Sequence, residues 1–164
     1  MMFHRLGTAA ENDQVIAAYR HSASLPILET DFPSVWLSPR SSHAVLKVKH
    51  GDNNEISLFT APRADLLSGN ISWSQLCGES DEVTDFAVIG DTIYLVTGKE
   101  APRFKLIEMS LNGPSMASSR DVIPAGELVI ESVSVAADAL YISVKRDGIG
   151  MVMRWAPDVG LEEL

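Results

Sequence analysis

The sequence predicts an all-β fold, a partial β-propeller of about three four-stranded antiparallel blades, and two observations carry that prediction. Short runs rich in β-branched and aromatic residues alternate with segments rich in Gly, Pro, Asn and Asp, as expected for strands joined by turns. Equivalent strands begin at Ala44, Ile93 and Leu140, so the pattern repeats after 49 and then 47 positions. A repeat of about 40 to 50 residues is typical of a propeller blade built from four short strands.

Matching turns strengthen the repeat. They precede the three equivalent strands as Ser42 with His43, Asp91 with Thr92, and Asp138 with Ala139. The alternative is one β-sandwich whose strands happen to be evenly spaced. A sandwich gives no reason for matched turns, so the propeller is favoured.

The N-terminal segment predicts two short strands, Phe3–Leu6 and Val15–Tyr19, although the alanines of the second would also suit a helical turn. Ser24–Pro33, which contains two prolines, is predicted to be a connector. We interpret residues 2–20 as the outer strands of a truncated blade.

The first complete blade is predicted at about residues 35–77. Its expected strands are Val35–Leu37, Ala44–Lys49, Glu55–Thr60 and an edge-like Ile71–Leu76. The second of these alternates apolar residues with Lys47 and Lys49, so one of its faces should be buried and the other polar.

The second blade is predicted at about residues 83–124. It begins with Val83–Ile89, which is largely apolar on both faces, so we expect an interior strand there. The three strands expected to follow, with Gly, Pro and Asn between them, are Ile93–Thr97, Phe104–Met109 and Asp121–Ile123.

The third blade is predicted at about residues 128–156. Its expected strands are Leu128–Val135, Leu140–Lys145 and Met151–Trp155, and the pattern predicts no fourth strand. Because a cut array leaves sheet flanks open, we expect the last strand to carry unpaired backbone groups. We also expect uncovered apolar side chains at Val133, Val135, Ile142 and Val144. The prediction is a homo-oligomer joined through exposed blade edges.

Composition narrows the function classes. The 164 residues are 46% hydrophobic and 21% charged, as in an ordinary globular protein, and we assign 1–164 to one partial propeller region. A net charge of -9 without a basic cluster disfavours nucleic acid as a partner. No run approaches the roughly 20 apolar residues of a membrane helix, so no membrane partner is expected.

The N-terminal residues and the cysteine content bear on the compartment. The start lacks a basic-then-apolar pattern, so no secretory signal is expected. Cys77 is the only cysteine, which excludes an intrachain disulfide and fits a reducing compartment such as the cytoplasm. We interpret Cys77 as a small core or loop residue, because nothing near it in sequence would stabilise a thiolate.

Two segments approach the Gly-x-Ser-x-Gly pattern of a nucleophile elbow. Ser80 lies in Gly-Glu-Ser-Asp-Glu, and Ser115 lies in Gly-Pro-Ser-Met-Ala. An elbow needs a helix directly after the serine, and in both places a strand or Pro124 follows too soon. We therefore predict no catalytic residue.

Other polar residues give no stronger signal. The histidines His4, His21, His43 and His50 lack the spacing of a metal site. The acidic group Glu79, Asp81, Glu82 and Asp85 lacks the alternation and the glycine of a calcium loop, so a solvated turn is favoured. Asn70 begins a weak glycosylation pattern, Asn-Ile-Ser. We predict no metal and no cofactor.

Three passages nevertheless resemble a known family, the prolyl oligopeptidases, in the middle part of their N-terminal β-propeller domain. They are FHRLGTAAENDQVIAAY, DEVTDFAVIGDTIYLVTGKEAPRFKLIEMSL and VIPAGELVIESVSVAADALYISVKRDGIGMVMRW. The matching motif residues are His4, Leu6, Gly7, Thr8 and Asp13, and further on Asp85, Phe86, Gly90, Ile93, Tyr94, Thr97, Ala101, Pro102, Arg103, Phe104, Lys105 and Leu106.

The resemblance implies a serine peptidase that cuts short peptides after proline. In this family a seven-bladed propeller covers an α/β-hydrolase domain that carries Ser, Asp and His. We expect that hydrolase domain and the remaining blades to be absent here, so no triad residue is assigned and the chain alone is expected to be inactive. One interpretation is a propeller portion that gates peptides, with the hydrolase domain and the other blades as its partners. The alternative is a free-standing module that binds peptides or proteins.

Overall fold

The computed structural model describes residues 1–22 and 25–164, so the predicted connector from Ser24 begins at a residue outside the described part. Fourteen strands, numbered in chain order, account for most of the regular structure. They are β1 (Met2–Phe3), β2 (Gln14–Val15), β3 (Asp31–Leu37), β4 (His43–His50), β5 (Ile56–Pro62), β6 (Ser74–Cys77), β7 (Val83–Ile89), β8 (Thr92–Thr97), β9 (Lys105–Ser110), β10 (Arg120–Ile123), β11 (Val129–Val135), β12 (Leu140–Arg146), β13 (Ile149–Ala156) and β14 (Gly160–Glu163).

The strands form three four-stranded antiparallel sheets in which each strand pairs with the next one along the chain. We call them the first sheet (β3–β6), the second sheet (β7–β10) and the third sheet (β11–β14). A two-stranded sheet, β1 with β2, precedes them. The predicted fold class, a partial β-propeller of about three four-stranded antiparallel blades, is confirmed.

Side-chain alternation explains which strands lie at the centre. On β12, Leu140, Ile142 and Val144 are buried while the residues between them are partly exposed, as expected for a strand with one face in the core. On β5 every residue from Ile56 to Ala61 is buried, because this strand has neighbours in its own sheet and packing on both faces. The sequence pattern thus sets the depth of each strand.

Three apolar clusters hold the sheets together. The first joins the first sheet to the N-terminal segment, and includes Leu46 and Ile16. The second lies between the first and second sheets, around Leu95. The third lies between the second and third sheets, around Leu106. Each sheet is therefore stabilised mainly by its neighbour in sequence, as in other repeat architectures.

The prediction that the third blade lacks a fourth strand is wrong. Gly160–Glu163 forms β14 and pairs with β13, so the third sheet extends beyond residue 156. The turn before it closes through a hydrogen bond from the Val159 N–H to the Ala156 carbonyl. The strand was missed because its residues, Gly-Leu-Glu-Glu, carry no apolar alternation, and Arg154 and Arg146 hold its two glutamates by ion pairs.

The prediction of uncovered side chains on the third sheet is also wrong for three of the four residues. Val133, Ile142 and Val144 are buried in the third cluster, whereas Val135 is 48% exposed. The reason is orientation, since the first three side chains point to the second sheet rather than to the open flank. The expected unpaired backbone along Met151–Trp155 is wrong as well, because β14 covers it.

Val83–Ile89 was predicted to be an interior strand, but β7 is an edge strand of the second sheet. Its faces are nevertheless both covered. Val83, Phe86 and Val88 pack into the second cluster, and Ala87 packs into the third. The apolar pattern on both faces therefore comes from neighbouring sheets, and not from a strand on each side.

Two further local predictions need correction. A helix, α1 (Arg63–Ser68), follows β5 and buries Leu66, and Gly69 ends it in the left-handed conformation. As a result the fourth strand of the first sheet begins only at Ser74, three residues later than predicted. Near the N-terminus, Val15–Tyr19 contributes only its first residue to a strand, and β1 ends at Phe3.

Candidate functional site

The first strands of the three sheets, β3, β7 and β11, lie side by side and form a surface that we call the inner wall. The Ser38 hydroxyl of the segment after β3 donates to the Val88 carbonyl of β7 at 3.4 Å. The Val133 N–H of β11 donates to Asp85 Oδ2 of β7 at 2.9 Å. These contacts join the strands across sheets, so residues far apart in sequence meet on the inner wall.

The inner wall contains a concave surface that we call the inner-wall groove. Its volume is about 490 Å³, and its lining includes Trp36, Lys47, Phe86, Val88 and Val135. Trp36 is 54% exposed, and its ring meets that of Phe86 edge to face with centroids 5.7 Å apart and an interplanar angle of 82°. The groove is therefore an exposed aromatic and aliphatic surface at the junction of the first and second sheets.

A second cavity of about 490 Å³ adjoins the groove at the turn end of the wall. The two cavities share Ser38, Pro39, Val88 and Val135. The turns that follow β3, β7 and β11 complete the second cavity, and Arg40 and Asp138 are its charged residues. Because the lining is shared, the groove continues from the strands to the turns.

A carboxylate fixes the turns beside the groove. Asp91, in the turn after β7, accepts hydrogen bonds from the Ser42 hydroxyl at 2.7 Å, the Ser42 N–H at 2.8 Å and the Ser41 hydroxyl at 2.9 Å. These bonds, those of Ser42 first, hold the pKa of Asp91 well below its usual range. The contact ties the second sheet to the turn of the first, which keeps the two walls of the groove in register.

The two serines weighed as nucleophiles lie on exposed three-residue 3-10 turns or beside them. Ser80 lies within Glu79–Asp81, and Ser115 immediately precedes Met116–Ser118. Neither turn continues into an α-helix, so the strand-to-helix geometry of an elbow is not formed at either serine. Cys77 is buried between the first and second sheets, and burial raises the pKa of its thiol to about 12. It is therefore protonated at neutral pH.

The histidines contact carboxylates in three places. His4 Nδ1 lies 2.6 Å from Asp13 Oδ1, and His43 Nδ1 lies 3.4 Å from Asp91 Oδ1. His21 lies in a turn closed by its own N–H to the Ala18 carbonyl. The contacts of His50 are more extensive and were missed by the sequence interpretation.

His50, at the end of β4, lies between a buried carboxylate and a serine. Its Nδ1 is 3.1 Å from Asp31 Oδ1, and its Nε2 is 2.8 Å from the Ser57 hydroxyl. The order resembles a catalytic triad, but Ser57 is only 7% exposed, and Asp31 Oδ1 meets no hydrogen-bond donor with suitable geometry in the described part of the chain. We therefore interpret the group as a clamp between the ends of β3, β4 and β5. The register of these hairpins would have been needed to find it.

The carboxylates of the acidic group bind other parts of the protein. Burial pushes the pKa of Asp81 upward, but hydrogen bonds from Lys99 and the Gly78 N–H outweigh it and leave that pKa lowered. Asp85 holds β11, as described above, and Glu79 accepts from Asn53. Within residues 1–22 and 25–164, no group of three potential ligands could hold a metal ion.

Two remaining observations concern the surface and the helices. Asn70, the glycosylation candidate, lies exposed just after α1. In the part of the chain that the structure covers, no helix has the length and apolar character needed to cross a bilayer.

Three four-stranded antiparallel sheets that share an inner wall define a segment of a β-propeller. The chain belongs to the family of prolyl oligopeptidase N-terminal β-propeller domains, because residues 1–158 match that family. The resemblance drawn from the sequence motifs is thereby confirmed. No curated protein sequence matches the chain.

Solved structures of the same kind align over nearly the whole chain. One of two prolyl endopeptidases studied for inter-domain dynamics aligns with a TM-score of 0.74 at 24% identity, over 99% of this chain and 23% of its own. Prolyl oligopeptidase B from Galerina marginata, bound to a 25mer macrocyclization substrate, aligns with a TM-score of 0.76 at 20% identity, over 100% of this chain and 22% of its own. The chain thus spans less than a quarter of the length of these proteins.

The most specific motif has a structural role at the second junction. Within Ala101–Leu106, the carbonyl of Arg103 accepts from the Ile130 N–H at 3.0 Å, and its guanidinium donates to the Glu127 carbonyl at 3.1 Å. Ala101 is buried and Phe104 packs against the third cluster. The motif therefore joins the second sheet to the third.

Proposed function

We propose that this chain is the non-catalytic propeller portion of a prolyl oligopeptidase-like serine endopeptidase, and that its sheets gate the access of peptides to a hydrolase domain. Family membership supports the type of enzyme. The observation that carries the gating role is the inner wall, where β3, β7 and β11 line one continuous concave surface. The remaining blades and the hydrolase domain are the partners that this proposal requires.

Size is the physical basis of such a gate. A folded domain of 100 residues has a radius of gyration of about 13 Å, whereas an extended peptide is only one chain wide. An opening bounded by the first strands of a small propeller would pass the second and exclude the first. The contacts of Asp91 and Asp85 support a rigid wall, because they fix neighbouring sheets at both the turns and the strands.

The experiment compares the complete enzyme with a form in which these three sheets are removed. Cleavage of a short prolyl peptide and of the same sequence inside a folded protein would be measured for both. We expect the shortened form to lose its preference for short peptides. An unchanged size limit would contradict the gating role.

Isolated, the chain is proposed to be inactive, because nucleophilic serine chemistry needs an activated serine and a base that the resemblance places in another domain. A fluorophosphonate probe tests this, and labelling of a serine in the isolated chain would contradict it. We also propose a cytoplasmic location, which the single buried thiol of Cys77 supports.

A homo-oligomer through exposed edges is a further proposal for the isolated chain. The third sheet carries exposed apolar residues on its outer flank, including Ile149, Val152 and Leu164. A shallow depression beside them is lined by Val144 and Met151. Burying such a surface favours association by roughly 25 cal/mol per Å² before entropy costs. Light scattering should give a mass above 17.8 kDa, and that monomer mass would contradict the proposal.

The second candidate function is a free-standing module that binds peptides or proteins without an enzyme. The inner-wall groove favours it, since an exposed aromatic pair is typical of binding surfaces. The two functions differ in one cheap observation. A hydrolase domain encoded in the same reading frame, or directly after it, supports the gating portion and excludes the free module.

A further inference from the structure

The inner-wall groove has one charged side chain whose position is not explained by the fold. Lys47 is half-buried in the groove, with its Nζ 5.8 Å from the centroid of the Trp36 ring. Within residues 1–22 and 25–164, no carboxylate lies within ion-pair distance of this ammonium group, whereas Lys99, Lys105 and Lys145 all have one. In a chain with a net charge of -9, such a cation is unusual.

The nearest carboxylate in the groove already has another role. Asp85 also lines the cavity, but its Oδ2 accepts the Val133 N–H and so holds the third sheet in place. The other lining side chains near Lys47 are apolar or aromatic. The groove therefore offers one cation beside an exposed aromatic edge, and an anionic group attached to an apolar one complements it.

We propose that the inner-wall groove binds an extended peptide that carries proline and, two residues away, Asp or Glu. The proline ring packs on Trp36 and Phe86, and the carboxylate pairs with Lys47. Aromatic grooves bind proline in the polyproline II conformation, where two residues advance about 6 Å. That advance matches the 5.8 Å between the Trp36 centroid and Lys47 Nζ. The choice of proline rests on the proposed function, whereas the choice of a carboxylate rests on Lys47 alone.

The test follows the indole N–H signals of the three tryptophans by NMR while peptide is added to the whole chain. The probe is acetyl-Gly-Pro-Ala-Glu-Gly-amide, and the two control peptides replace its Glu by Gln or its Pro by Ala. We expect the Trp36 signal to move. The signal of Trp73 should stay, because this residue is 6% exposed and its indole donates to the Ile16 carbonyl, which makes it an internal control.

Variants separate the two halves of the site. Lys47→Gln should weaken binding of the Glu peptide by about threefold to fivefold, as for an exposed ion pair, and leave binding of the Gln peptide unchanged. Lys49→Gln is the matched control, because Lys49 lies on the same face of β4, is exposed and does not line the groove. Trp36→Ala should weaken both peptides by about tenfold, and since Trp36 is half exposed the fold should survive.

Three results would overturn the proposal. They are a Trp36 signal that does not move, equal binding of the Glu and Gln peptides, and equal losses for Lys47→Gln and Lys49→Gln. The outcome is independent of the gating experiment. Peptide binding without a size filter would sink the proposed function alone, and a size filter without peptide binding would sink this inference alone.

Discussion

The junction between the first and second sheets differs from the one between the second and third. At the first junction the turns are joined by the Asp91 carboxylate, and the aromatic pair Trp36 and Phe86 stays open on the inner wall. At the second junction the rings of Tyr94 and Trp155 pack at 5.4 Å, and backbone hydrogen bonds link Arg103 to the third sheet. The first junction is thus held at its turns and open at its groove.

Equivalent positions in the repeat explain the difference. Asp91 meets Ser41 and Ser42 of the preceding turn, whose hydroxyls donate to it. Asp138 occupies the same position in the next repeat, but the preceding turn there offers Asp91, another carboxylate. Asp138 instead accepts from Arg154 of its own sheet at 3.2 Å. One position of the repeat therefore joins sheets in one place and only stabilises its own sheet in the other.

The largest expected effects come from one fully buried leucine at each junction. Leu95→Ala in the second cluster and Leu106→Ala in the third should each lower the free energy of unfolding by about 3 kcal/mol. Urea denaturation measures this. Losses below about 1 kcal/mol for either variant would mean that the corresponding cluster is not packed as described.

Reactivity of Cys77 can separate the junctions, because this thiol lies only in the second cluster. In native conditions Leu95→Ala should speed thiol labelling more than Leu106→Ala does, since it loosens the cluster that covers Cys77. Dithionitrobenzoate absorbance gives the rates. Equal acceleration by both variants would show that the sheets open as one cooperative unit, and the comparison would then fail.

Asp91→Asn should have a smaller effect on stability than the leucine variants and a specific one on the first junction. The amide keeps one acceptor but loses the charge that Ser41 and Ser42 solvate, so the denaturation midpoint should fall and Cys77 labelling should speed up. Asp138→Asn is the matched control at the same position of the repeat. It should shift the midpoint less and leave the labelling of Cys77 unchanged, and the reverse order would contradict the roles assigned here.

The smallest predicted effect is a pH dependence. Hydrogen bonds from Ser42 and Ser41 lower the pKa of Asp91 from its ordinary value of 3.8, so the native state binds the proton less tightly than the unfolded state does. The stabilisation is therefore present above about pH 5 and is lost as the pH falls below about 4. Thermal unfolding between these values should change less in Asp91→Asn than in the unaltered chain. Identical pH profiles would contradict this role.

Much of the fold could be predicted from the sequence, because alternation and turn residues act locally. The strands around Ala44, Ile93 and Leu140 are of this kind. β14 could not be predicted, since its polar residues pair through backbone bonds that leave no mark on side-chain pattern. The burial of Val133 could not be predicted either, because it depends on which way the third sheet faces.

The candidate site was beyond the sequence for a related reason. Trp36, Lys47 and Phe86 come from three strands of two sheets, and nothing in their spacing predicts that they meet. His50 and Ser57 likewise meet only through hairpin register. The absence of a recognisable motif therefore said little about a surface built from many short strands.

The central claim is that the inner wall bounds the path of peptides, and narrowing it tests this most directly. In the complete enzyme, Ser134→Trp would add bulk to the inner wall, and Asp121→Trp would add the same bulk to the exposed outer strand β10. The account predicts that Ser134→Trp lowers kcat/KM for a long prolyl peptide far more than for a dipeptide substrate, while Asp121→Trp changes neither. Equal effects of Ser134→Trp on both substrates, or none on either, would contradict it.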